Sequence, residues 1–74
     1  MQQVNIQFKD AEQVRNFLNI VSRMEMEFQM GAEKSSVNAK SVLGLFTLDL
    51  SRPQPLRYNS SDHEVFNKLR PFFA

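Results

Sequence analysis

The chain has no cysteine and no tryptophan, one histidine, two glycines and three prolines in 74 residues. Without cysteine there is neither a disulfide staple nor a thiolate metal site, which suits a reducing compartment such as the cytoplasm. A single histidine leaves catalysis of the Ser-His-Asp or Cys-His type resting on His63 alone. Gly31 and Gly44 are thirteen residues apart, so no phosphate-cradling glycine loop is present. No His/Asp/Glu spacing resembles a metal site, and no metal or other cofactor is expected. Nine Lys/Arg stand against eight Asp/Glu, a net charge of +1, which lacks the excess expected of a nucleic-acid binder. No apolar run is long enough to span a membrane, and the alternating polar residues of Met1–Phe8 are unlike a signal peptide. The length allows one hydrophobic core, so residues 1–74 are read as one domain, a cytoplasmic monomer or weak dimer.

Val4, Ile6 and Phe8 alternate with Asn5, Gln7 and Lys9, the period of a half-buried strand. Asp10 breaks the pattern, and Gln13 three residues on gives the spacing of a capping box. Val14, Phe17, Leu18 and Val21 then mark one face of a helix expected over residues 11–23. Met26, Phe28 and Met30 alternate with Glu25, Glu27 and Gln29, predicting a second strand with its acids toward water. Solvated charges account for Glu25 and Glu27 better than a catalytic carboxylate pair, and core filling accounts for Met26 and Met30 better than a soft-metal surface.

A turn at Gly31–Lys34 leads to a short strand at Val37 and Ala39, which closes a hairpin. Ser41 opens the next helix. Val42, Leu43, Leu45, Phe46 and Leu48 are too many apolar residues for one face of it, so it is either buried all round or partly an exposed apolar surface. Leu56–Tyr58 reads as a fourth strand. Ser61 and Glu64 repeat the capping-box spacing, and Val65, Phe66, Leu69 and Phe72 or Phe73 form the inner face of a last helix. The order β-α-β-β-α-β-α predicts an α+β fold: a four-stranded antiparallel sheet with three helices on one face and a polar opposite face.

The segment Val37-Asn38-Ala39-Lys40-Ser41-Val42-Leu43-Gly44-Leu45-Phe46-Thr47-Leu48 closely resembles the serine-containing segment of HPr, the phosphocarrier of the sugar phosphotransferase system, where a V-x-x-K-S-apolar-apolar-G-apolar stretch joins a strand to a short helix. Register without gaps runs from Met24 to Leu50, and the element order extends the resemblance over nearly the whole chain, implying an HPr-like open-faced β-sandwich. The departure lies before the first helix. Family members carry G-apolar-H-[AT]-R-P there, and the histidine accepts the phosphoryl group. Here Asp10 takes the histidine position, Glu12 the arginine position and Gln13 the proline position, and the strand-to-helix loop is about three residues shorter. A phosphohistidine needs an imidazole nitrogen and donors for the dianion. At this degenerate phosphocarrier site the nucleophile is gone and Glu12 repels phosphate.

The resemblance therefore implies an HPr-like protein that is not an enzyme and has lost phosphocarrier activity, keeping a regulatory or docking role. In HPr-like proteins the serine matching Ser41 can be phosphorylated by a dedicated kinase, and the helix behind it, here Val42, Leu43 and Phe46 with Lys40 alongside, offers a patch to partners. The family includes a catabolite-repression member that lacks the histidine and keeps the serine. Implied partners are phosphotransferase-system enzymes, a serine kinase or a transcriptional regulator. Three alternatives remain open: Ser41 as a plain helix cap with the apolar residues in the core, an aspartyl phosphate on Asp10, and an orphan interaction module outside sugar transport.

Overall fold

A computed structural model describes residues 2–74. The chain runs β1 (Gln2–Ile6), α1 (Ala11–Val21), β2 (Phe28–Met30), β3 (Val37–Asn38), α2 (Val42–Leu45), β4 (Gln54–Tyr58) and α3 (His63–Leu69), with single 3₁₀ turns at Glu33–Ser35 and Arg70–Phe72. All strand pairings are antiparallel, and the order across the sheet is β1-β4-β2-β3. Alternation turns Ile6, Phe28, Met30, Leu56 and Tyr58 to one face, where they meet Val14, Phe17 and Val21 of α1, Leu45 of α2, and Val65, Leu69 and Phe72 at the C-terminal end in one buried cluster. The helices thus cover one face of the sheet. Gln3, Asn5, Gln29 and Asn38 lie on the other, exposed.

Helix α1 begins as its sequence prescribes. The Asp10 carboxylate accepts the Gln13 N–H at 2.9 Å, while the Gln13 side-chain oxygen accepts the N–H of Lys9, one residue before the cap, at 2.8 Å. Phe17, fully buried, stands edge-on to Phe8 and Phe72 with ring centroids 5.3 and 5.5 Å away. The helix ends at Val21, two residues before the expected 23.

Three further expectations are corrected. Strand β2 starts at Phe28, because Phe28 faces Tyr58 and β4 ends there. Met26 is consequently half-buried outside the strand, and Glu25 and Glu27 sit in a loop. The cap of α3 is Asp62, whose carboxylate accepts the Glu64 N–H at 2.9 Å, in place of Ser61. Phe66 is outside the core: Val65, Leu69 and Phe72 fill the inner face, and Phe66 stacks edge-on against Phe73 at 5.0 Å with the Arg70 guanidinium over its ring. For Phe46, left open between core and surface, the outcome is exposure.

Two details of the sheet recur below. Pro55 lies in β4, a central strand, where a residue without an N–H is normally excluded. It is tolerated because β2 stops at Met30, opposite Leu56. The Pro55 carbonyl still accepts the Gly31 N–H at 2.9 Å, and the return bond that proline cannot give is supplied by the Arg57 side chain, whose Nη2 donates to the Gly31 carbonyl at 2.9 Å. Gly31, at φ 104°, then turns the chain away from the sheet. At the opposite margin the C-terminal segment runs antiparallel to β1: Phe73 bridges Ile6, Gln7 donates to the Phe72 carbonyl at 2.9 Å and Ala74 donates to the Asn5 carbonyl at 3.0 Å.

Candidate functional site

Asn38, the last residue of β3, builds the turn that leads into α2. Its side-chain oxygen accepts the Lys40 N–H at 2.9 Å and its carbonyl accepts the Ser41 N–H at 2.9 Å. Ser41 has extended backbone angles and its hydroxyl accepts the Gly44 N–H at 3.1 Å, so it is the N-cap of α2. Gly44 lets the helix press on β3: a Cβ there would stand 3.3 Å from the Cβ atoms of both Ser41 and Val37.

The exposure of the helix follows from its brevity. Only Leu45 of α2 is buried. Successive residues are turned about 100° apart, so Val42 lies about 60° from Leu45 around the axis, Phe46 about 100° and Leu43 about 160°. Their exposures rise in that order, 51%, 60% and 82%. Three large apolar side chains therefore stand in water directly behind Ser41, on a helix with one inward position.

Lys40 is not a free surface lysine. It is half-buried, and its ammonium donates to the Met24 carbonyl just beyond the end of α1. Since α1 carries no basic residue in its own last turn, Lys40 brings a cation to the negative end of that helix from the β3–α2 turn. Beyond α2, the Asp49 carboxyl is held below the usual carboxylate range, mainly by the Ser51 hydroxyl and N–H, with Arg52 at 3.6 Å adding its charge.

Asp10 and Glu12 lie at the exposed start of α1. The Asp10 carboxylate is engaged by the Gln13 N–H, and among the described residues no hydrogen bond or ion pair links Asp10 or Glu12 to Lys40 or Ser41. His63 is exposed at the first position of α3 and lines a cleft of about 230 Å³ with Gln2, Tyr58, Ser60, Ser61, Asp62 and Phe66. Burial pushes the Tyr58 phenol above its ordinary value. Among the described residues no three His, Asp or Glu side chains converge as metal ligands would. Two contributors escaped sequence reading. Gln13 was legible as a capping partner but not in its bond to Lys9, and Gly44 gave no sign of the close approach it permits.

The element order, the single antiparallel sheet and the one-sided helices define an HPr-like α+β open-faced sandwich. A structure it resembles is the crystal structure of HPr-C-His from Thermoanaerobacter tengcongensis, with a TM-score of 0.75 and 23% sequence identity over 96% of this chain and 89% of that one. At that identity the likeness is one of fold. No protein-family model matches the sequence, and no curated protein matches it. No helix among the described residues is long and apolar enough to cross a membrane.

Proposed function

We propose that this protein is a regulatory docking protein of HPr-like fold, related to the sugar phosphotransferase system, that binds protein partners through the helix behind Ser41 and does not relay phosphoryl groups. The reading rests foremost on Val42 and Leu43 of the four-residue helix and Phe46 at its C-cap, exposed together. A free-standing surface of that kind is unfavourable in water unless something covers it. Ser41 stands at its edge as a potential switch. Phosphate on Oγ would add about −1.5 to −2 charges at the positive end of α2 and remove the hydroxyl from its present bond to Gly44. The candidate partners are phosphotransferase-system enzymes, a serine kinase or a transcriptional regulator.

The absence of relay activity is supported by chemistry at the start of α1. The residue in the acceptor position is Asp10, already engaged as a helix cap, and the residue in the arginine position is Glu12. The α1 amides alone remain to meet a phosphate dianion. Incubation with phosphoenolpyruvate and the general enzyme of the phosphotransferase system separates this reading from a phosphocarrier: no label should enter the chain. Acyl phosphate on Asp10 or acid-labile phosphate on His63 would overturn it. Capture of the general enzyme, the serine kinase or the regulator should be lost in Leu43→Glu, whose side chain touches too little of the core to disturb folding.

A further inference from the structure

Among the described residues the outer margin of β1 is only half covered, and this has no connection with the α2 surface. The Asn5 carbonyl and the Gln7 N–H both face outward, since both bond the C-terminal segment. Main-chain groups of a strand alternate sides with period two, so Gln3 also turns its N–H and carbonyl outward, while Gln2, Val4 and Ile6 turn theirs toward β4. The C-terminal pairing reaches Asn5. At Gln3 no main-chain group of the described residues meets the edge. An unpaired strand edge of this kind is a template for another extended chain.

Beside that bare stretch lies the cleft of about 230 Å³ between β1 and α3. The exposed Phe66 ring and the buried Tyr58 line it, with Gln2, Ser60, Ser61, Asp62 and His63 around them. It is smaller than the roughly 300–1,000 Å³ of small-molecule sites and leaves room for one large side chain. Edge and cleft are also in phase. In an antiparallel addition, directly opposed residues share a face of the sheet, so a residue opposite Gln2 turns toward the helix side, where the cleft opens.

We propose that β1 and this cleft together take an extended peptide segment of another protein, antiparallel to β1 at Gln3 and inserting one aromatic or large aliphatic side chain between Tyr58 and Phe66. The C-terminal segment is the precedent on the molecule itself. It lies antiparallel on the same edge, and its Phe73 packs against Phe66, the side chain that also borders the cleft. The occupant continues that line of pairing past Asn5. Main-chain bonds supply affinity and the side-chain pocket selectivity, as in other strand-addition complexes.

The test uses the full chain and a blocked peptide of alternating threonine and valine with one central phenylalanine, followed by amide chemical shifts. Shifts should concentrate at Gln2–Asn5, Tyr58–His63 and Phe66, with slowed exchange of the Gln3 amide. Replacing the central phenylalanine by alanine, or N-methylating the peptide where it faces Gln3, should weaken binding at least tenfold, and neither change touches the protein. Gln3→Pro removes only the outward N–H and leaves the β1–β4 ladder whole, so it should weaken binding similarly while the sheet stays folded. Phe66→Ala should do the same from the cleft side. Absent binding, shifts confined to α2, or an N-methylated peptide that binds as well as the parent would overturn the proposal. So would self-association through β1 that Gln3→Pro abolishes, since the occupant would then be a second copy of this chain.

Discussion

Replacing Ser41 by alanine probes the junction on which the proposed docking surface depends. The hydroxyl accepts one backbone hydrogen bond, from Gly44 at 3.1 Å, in a partly buried position. Helix α2 has four residues, so this cap serves a large fraction of its otherwise unpaired N–H groups. Loss of an N-cap side chain costs about 0.5–2 kcal/mol, and partial burial of the Gly44 N–H places Ser41→Ala near about 1 kcal/mol. With a urea slope of about 1 kcal/mol per molar for so small a domain, the midpoint should fall by about 1 M. Ser41→Asp retains an acceptor and adds a favourable charge at the helix start worth about 0.3–1 kcal/mol, with so short a helix favouring the lower end. The order of midpoints should therefore be wild type close to Ser41→Asp, with Ser41→Ala lowest. Urea titrations followed by circular dichroism decide it. Ser41→Ala unfolding at the wild-type midpoint, or Ser41→Asp falling below Ser41→Ala, would refute the capping geometry and with it the placement of a phosphate at that helix start.

Three other perturbations follow from the fold. Phe17→Ala removes a fully buried ring that packs edge-on against Phe8 and Phe72, and should cost about 3–5 kcal/mol, seen as a collapse of the thermal transition. Arg57→Met removes the donor that Pro55 cannot provide to the Gly31 carbonyl, and a loss of about 1–2 kcal/mol is expected; an unchanged urea midpoint would show that water takes over the bond. Burial raises the Tyr58 phenol above its ordinary value of about 10, so the neutral form is favoured by folding. The stability this confers is complete below about pH 10 and is lost as pH rises through the folded-state value. Tyr58→Phe should flatten that alkaline loss, and equal alkaline limbs in the two proteins would refute it.

The fold was legible wherever a pattern is enforced by neighbours in sequence. Asp10 and Gln13 mark the start of α1 because the bonds they make are local, and the helix stripe through Val14, Phe17 and Val21 needs no knowledge of what it packs against. Long-range partners set what was illegible. Glu25 and Glu27 continue the alternation of β2, but β4 has ended at Tyr58 and there is nothing for them to pair with. Phe66 has a helical spacing as good as its neighbours, yet the 3₁₀ turn at Arg70–Phe72 swings Phe72 inward and leaves Phe66 outside. At the candidate site the excess of apolar residues after Ser41 was visible, whereas the choice between a buried and an exposed helix turned on its length, four residues with Leu45 alone turned inward. The role of Lys40 was hidden because its partner is the Met24 carbonyl, sixteen residues earlier.

Pro55 has a consequence beyond its own strand. Sliding β2 by two residues along β4 would preserve which side chains face inward, so the apolar pattern alone does not forbid it. Such a slip toward the start of β4 would bring Gln29 opposite Pro55, where its carbonyl would find no N–H, and would leave Arg57 without its Gly31 acceptor. The opposite slip would carry Gln29 beyond Tyr58, off the end of the strand. A residue that contributes nothing to the core thus acts as a ruler for the sheet. It fixes where β2 stops, hence where Gly31 turns the chain, hence where β3 returns and α2 emerges. The height at which Leu43 and Phe46 stand above the surface is measured out by an imino acid in a different strand.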